Sequence, residues 1–232
     1  MKIVCSIAFL LVMSVSSTAI ASERCEMLVA DSRPGDSSEA ASAFFSNAEA
    51  AYRDCRSDSV AVDIRAKAAI NYGFANAIRN NVQTAVKAYK EALTLLSTQA
   101  GKYPDLTLDV LDKAMIAEVG AGMRSDAFAH AQQALDLRRA IYGADSDEAV
   151  DAILQVAMIY SDFEEYTSAE SLLNEALLTA RATCKRTQCR KLANVYSGFA
   201  TYYAAQGDDD NEKRFADLAF AAAPDPVRKR KE

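Results

Sequence analysis

Residues 140–181 read AIYGADSDEAVDAILQVAMIYSDFEEYTSAESLLNEALLTAR, and this stretch decides the fold. Ile153, Val156, Ala157 and Tyr160 recur at the three- and four-residue spacing of one helix face. Glu164 interrupts the run, and Ala169, Leu173 and Ala176 resume it on a second helix. The stretch therefore reads as a helix, a tight turn and an antiparallel helix, with small alanines letting the two approach closely. One such hairpin cannot bury both of its faces, so copies of it must stack.

Copies are present on either side. Ala85, Ala127 and Ala169 stand 42 residues apart, and so do Ala92, Ala134 and Ala176. Each alanine of the first set precedes its partner in the second by seven residues, which puts both on one helix face. The turns carry the same period: Asn80, Gly122, Glu164 and Gly207 occupy equivalent places at spacings of 42, 42 and 43. Three of these four are Gly or Asn, the residues that tolerate the left-handed backbone ending a helix. Leu93, Leu135, Leu172 and Leu177 supply the larger side chains between neighbours. After residue 34 proline occurs only at 104, 224 and 226. The chain is expected to be all-α.

On these residues the segment from Ala140 to Arg181 resembles a tetratricopeptide repeat, in particular the 42-residue variety found in kinesin light chains. The connection from Arg139 to Val150 is similar to that variety's linker, and Lys102-Tyr-Pro-Asp105 resembles the same linker one repeat earlier. Ala157 and Tyr160 match the small and aromatic positions of the first helix; Ala169, Leu173 and Ala176 match the packing positions of the second. The register also assigns Gly73, Tyr89, Ala200, Tyr203, Ala219 and Pro224. Met115, Glu118 and Glu212 depart from it. The resemblance implies a helical-hairpin solenoid of about four hairpins over residues 60–224. It also implies that the chain holds a protein or peptide.

The ends are read separately. Lys2, the apolar run Ile3 to Val15 and the small-residue site Ala19-Ile20-Ala21 have the order of a secretory signal peptide over residues 1–21, cut after Ala21. The apolar run is shorter than the roughly 20 residues of a spanning helix, so no stable membrane insertion is expected after cleavage. Residues 22–59 form the N-terminal segment. Within it, 22–36 are polar and expected to be irregular apart from a Cys25 tether. Asp36-Ser-Ser-Glu39 reads as a capping box. It opens a helix carrying Phe44, Ala48, Ala51 and Cys55, in phase as a half-repeat cap for the array. Asp208 to Asp210 read as a helix cap, and residues 225–232 as a basic, disordered tail.

The remaining residues limit the chemistry. The formal net charge of −6 becomes −7 without Lys2. That balance excludes a general nucleic-acid binder, which needs a basic face. Cys25, Cys55, Cys184 and Cys189 remain after cleavage, an even number that suits disulfides in an oxidising compartment. Four cysteines allow three pairings, and nearness in sequence favours Cys25–Cys55 and Cys184–Cys189. These would contribute roughly 4 and 2 kcal/mol in the chain-entropy view. No Cys-x-x-Cys pair, glycine-rich phosphate loop or nucleophile–base pair is evident, and the one histidine, His130, falls inside a second helix. No catalytic residue, metal or cofactor is expected.

Repeat arrays of this kind curve, and the first helix of each hairpin lines the concave face. The register places Lys67, Ile70, Asn71 and Phe74 there from the first hairpin. The second contributes Asp109, Asp112, Lys113 and Ile116, and the third Asp151, Leu154, Gln155 and Met158. The fourth contributes Asn194, Ser197 and Thr201. Apolar residues could take a helix or peptide face, and the aspartates a basic partner. Two functions fit: an exported scaffold in the cell envelope, or a self-associating structural protein. The half-repeat cap and the polar final helix, with Lys213 and Asp217, weigh against open end-to-end stacking.

Overall fold

The computed structural model describes residues 22–30, 38–185 and 189–224. The expected signal peptide, the start of the expected capping box at Asp36 and the expected basic tail lie outside the described residues. Every regular element within them is helical: α1 (22–30), α2 (Ser38–Asp54), α3 (Val62–Ile78), α4 (Val82–Ser97), α5 (Pro104–Gly120), α6 (Arg124–Tyr142), α7 (Asp147–Asp162), α8 (Tyr166–Thr183), α9 (Arg190–Ala205) and α10 (Asp209–Ala222). They divide into two compact units, Met1–Ala121 and Gly122–Glu232.

The turns show why the chain breaks where it does. Asn80, Gly122, Glu164 and Gly207 all adopt positive φ, between 61° and 70°. In three of these turns the next residue's N–H reaches back five residues: Asn81 to the Asn76 carbonyl, Glu165 to Tyr160 and Asp208 to Tyr203, at 2.8, 2.8 and 3.0 Å. The left-handed residue's own N–H bonds three residues back in each case. This paired arrangement satisfies the last carbonyls of a helix and turns the chain sharply. Pro104 opens α5, where its missing N–H costs nothing. Ser146 caps α7 by accepting the Ala149 N–H at 3.0 Å. Asp208 caps α10 by accepting that of Asn211 at 3.1 Å, in line with the reading of the aspartate run.

In the first unit α3 and α4 form an antiparallel hairpin, α2 packs on α3, and α5 lies beside both α4 and α3. Ala85 and Ala92 are completely buried, as their spacing requires. The small seat at Gly73 receives the ring of Tyr89. Phe44, Ala48 and Ala75 join Phe45 and Phe74 in one apolar cluster between α2 and α3.

The segment expected to be irregular is corrected here, because residues 22–30 are helical. Cys25 and Val29 of α1 are buried against Ala51, Cys55, Val60 and Ala68, with Leu28 and Ile64 alongside. Cys25, Leu28 and Val29 follow the i, i+3, i+4 pattern of a helix face. The Cys25–Cys55 disulfide joins this helix to the residue that follows α2, so a further helix is tethered to α2 where a lone capping helix was expected.

In the second unit α7 pairs with α8 and α9 with α10. α6 packs on α7, and α9 lies against α8 and α7. Ala169, Leu173, Ala176 and Ala180 form the buried stripe of α8. Leu154 of α7 and Leu173 of α8 meet at Gly198 of α9, whose missing side chain leaves them room. The Cys184–Cys189 disulfide closes the connection between α8 and α9.

Candidate functional site

In the first unit the first-helix row consists of residues on α3 and α5. Lys67 is half-buried and pairs with Asp63 at 3.1 Å. The Asn71 amide donates to the Val29 carbonyl at 3.2 Å, so α1 covers the row at this end. Glu26, Val29, Ala30, Ile64, Lys67 and Asn71 surround a shallow groove there. Phe74 is half-buried, its ring edge-on to Phe44 at 5.9 Å. Ile70 does not project: it is only 3% exposed. It shares the inner stripe of α3 with Ala66, Ala69 and Gly73, and burying its aliphatic side chain there is favourable.

On α5, Asp109 pairs with Lys113, and Asp112 is half-buried. Ile116 stands in solvent at 69% exposure. It occupies the position 42 residues after Phe74. One turn beyond Phe74, Ile78 is 53% exposed; the sequence reading missed it, though its i+4 spacing from Phe74 marks the same face. Phe74, Ile78 and Ile116 are thus accessible apolar side chains on the first helices of this unit. The ion pairs Lys67–Asp63 and Lys113–Asp109 stand one to three turns before Phe74 and Ile116 on the same helices.

In the second unit Asp151 is exposed and accepts from the Asn194 amide at 3.0 Å, tying α7 to α9. Leu154 and Met158 are half-buried, the former filling the space above Gly198. Asp147, Glu148, Asp151, Arg190, Lys191 and Asn194 line a second groove. Lys191, absent from the sequence reading, is buried. Its ammonium donates to the Asp145 carbonyl at 2.7 Å and to Thr183 Oγ1 at 3.1 Å, and faces Asp147 at 3.0 Å. These bonds compensate the buried charge and hold the ends of α8 and α9 to the loop before α7.

All four cysteines are joined as the nearest-neighbour pairing has it. Among the described residues, no group of three or more His, Cys, Asp and Glu is arranged to hold a metal ion. No described helix is long and apolar enough to cross a membrane.

No protein-family model matches the chain, and no curated protein does either. Solved structures do. A kinesin light chain of Podosopora anserina with nearly identical TPR-like repeats superposes with a TM-score of 0.65 at 14% identity, over 90% of this chain and 96% of that one. This chain has the tetratricopeptide-like fold. BtubC (BKLC) from P. vanneervenii matches with a TM-score of 0.61 at 14% identity, over 94% of this chain and 91% of the other. At such identities the likeness concerns the tetratricopeptide-like backbone, and the side chains of the first-helix rows are this chain's own.

Proposed function

We propose that this chain is an exported, non-enzymatic scaffold that holds a protein or peptide partner in the cell envelope. Its organisation under this reading is a signal peptide at 1–21, an N-terminal segment at 22–59, the repeat array at 60–224 and a basic tail at 225–232. The residues assigned to partner binding are Lys67, Asn71, Phe74, Asp109, Asp112 and Ile116 in the first unit and, separately, Asp151, Leu154 and Met158 in the second. Ile70 is left out because its side chain is in the core.

The observation that carries the reading is Ile116. At 69% exposure it joins Ile78, at 53%, as a second large apolar side chain left in solvent on the first helices of one unit. It lies on the helix row that solenoids of this fold use to meet partners, and Phe74 and Ile78 extend the apolar surface. The aspartates around it favour a partner whose apolar face is flanked by basic residues. Two disulfides support export to an oxidising compartment.

The test is affinity capture from a native envelope extract, with the unaltered chain beside an Ile78→Glu/Ile116→Glu variant. Both side chains are more than half exposed, so circular dichroism should show unchanged helicity. A protein retained by the unaltered chain and lost from the variant supports this face. One retained equally by both moves the site elsewhere, and an empty capture from both removes the scaffold reading.

A further inference from the structure

The two disulfides sit in unlike surroundings. Cys25 and Cys55 are 3% and 1% exposed, enclosed by Val29, Ala51, Val60 and Ala68. Cys184 and Cys189 are half-buried, and the residues next to them in the chain, Lys185 and Arg190, are exposed cations. An incoming thiolate needs access to a disulfide sulfur, and positive neighbours favour its approach. On both counts the second bond is the open one.

Its two sulfur atoms are also unequal. Cys184 is the C-cap of α8, a helix of 18 residues, and Cys189 is the N-cap of α9, a helix of 16 residues. The aligned peptide dipoles place partial negative charge at the end of α8 and partial positive charge at the start of α9. A thiolate is therefore disfavoured on Cys184 and favoured on Cys189, where Arg190 adds a full positive charge. In thiol–disulfide exchange the sulfur better able to carry the charge leaves, and the other is attacked.

The helix ends that carry these cysteines have other ties. The Lys191 ammonium, in the first turn of α9, donates to Thr183 Oγ1 at the end of α8 and to the Asp145 carbonyl. The Cys189 N–H donates to the Ala222 carbonyl at 2.8 Å, which fastens the start of α9 to the end of α10. The Cys184 N–H donates to the Ala180 carbonyl at 2.9 Å. None of these bonds involves sulfur, so opening the disulfide leaves both cysteines placed for it to close again.

We propose that Cys184–Cys189 is a thiol-exchange site, opened reversibly by a dithiol reductant under conditions that leave Cys25–Cys55 closed. A thiolate of the reductant attacks Cys184 Sγ. The sulfur–sulfur bond breaks, and its electron pair leaves on Cys189 Sγ. The reductant's second thiolate then attacks its own sulfur in the mixed disulfide and expels Cys184. The reductant departs as its disulfide, oxidised by two electrons, and its two protons pass to the two cysteines. A small disulfide closes the bond by the same exchange in reverse. The proposal does not depend on the first-helix row.

The test treats the oxidised protein with dithiothreitol for a series of times, alkylates the free thiols with iodoacetamide and maps them by peptide mass spectrometry. Cys184 and Cys189 should be labelled about tenfold or more sooner than Cys25 and Cys55, with the circular dichroism of the oxidised protein retained. Oxidised glutathione should then restore the bond. The uncharged monothiol 2-mercaptoethanol, followed at once by iodoacetamide, should leave mercaptoethanol on Cys184 and the alkyl group on Cys189. Equal labelling of the two pairs, or earlier labelling of Cys25 and Cys55, overturns the proposal. Mercaptoethanol found on Cys189 overturns the order of attack. Loss of helicity on opening Cys184–Cys189, or failure of oxidised glutathione to close it, would show a structural bond and no exchange site.

Discussion

Tyr89 fills the space that a side chain on Gly73 would need: a Cβ built there would stand 2.6 Å from Tyr89 Cε1 and 2.8 Å from Cδ1. Tyr89 is almost wholly buried, so the ring cannot swing into solvent. Intrinsic helix propensity favours Gly73→Ala by about 1 kcal/mol. Overpacking of a closed core costs about 1–3 kcal/mol and should win. The substitution is expected to lower the midpoint of denaturant unfolding, and adding Tyr89→Leu should recover part of the loss in a double-mutant cycle. An unchanged or higher midpoint for Gly73→Ala would show that the hairpin is looser than described.

Glu164 tests the turn geometry from the opposite side. It holds φ of 62° in the place taken by Gly122 and Gly207 in other repeats, and a residue with a Cβ carries strain there. Glu164→Gly should raise stability by about 1 kcal/mol, and Gly207→Ala should lower it by a similar amount. Thermal unfolding of the two variants, read in parallel, checks the pair of signs.

The two disulfides close loops of different length. Cys25 and Cys55 are 30 residues apart, Cys184 and Cys189 only five. Replacing the first pair by alanine is expected to cost about 4 kcal/mol and the second about 2 kcal/mol. The expected order of melting temperatures is the native chain, then the variant lacking Cys184–Cys189, then the variant lacking Cys25–Cys55. The reverse order would mean that α1 contributes little to the first unit.

Alkaline pH should loosen the first unit through Tyr52. Its hydroxyl donates to Glu91 at 2.5 Å and its ring stacks on Tyr72 at 4.2 Å. Burial, and then the bond to Glu91, push its pKa from 10.0 up to about 12. The unfolded chain therefore ionises first. The stabilisation is complete below pH 10 and is lost as pH rises toward about 12. Tyr52→Phe should flatten that part of the stability profile, measured by urea unfolding at a series of pH values. A slope identical to that of the native chain would place the titration on other tyrosines.

Much of the fold was legible in the sequence because its signals are backbone chemistry and side-chain size. Asn80, Gly122 and Gly207 announce left-handed turns by residue type, and Glu164 follows from their period. Ala85, Ala92, Ala169 and Ala176 mark close helix approach because nothing larger fits. The helix at 22–30 was harder to see. Its apolar triad of Cys25, Leu28 and Val29 is short, interspersed with Glu23, Arg24 and Glu26, and followed by Pro34-Gly35. The first-helix row was legible only to within one helical position. Asp112 and Leu154 share Ile70's place in the period and remain half-buried, whereas Ile70 turns into the core. A period in sequence fixes which residues correspond, and the size and polarity of each side chain then decide which way an edge position faces. Lys191 was missed for a related reason: its three partners lie on the ends of other elements, at no fixed spacing from it.

The bridge from Cys25 to Cys55 also alters how the chain would carry a mechanical load. Tension applied at residue 22 passes through the sulfur atoms to residue 55, and the chain between them, including most of α1 and the whole of α2, hangs outside the load path. From the N-terminal side, extension could therefore reach nothing before the chain that leads into α3. The contour length released would fall short of the full chain by about 100 Å, at roughly 3.5 Å for each of the bypassed residues. Reduction would restore that length. The first helix pair is in this sense a slack loop with a fixed clasp, shielded from strain for as long as its surroundings stay oxidising.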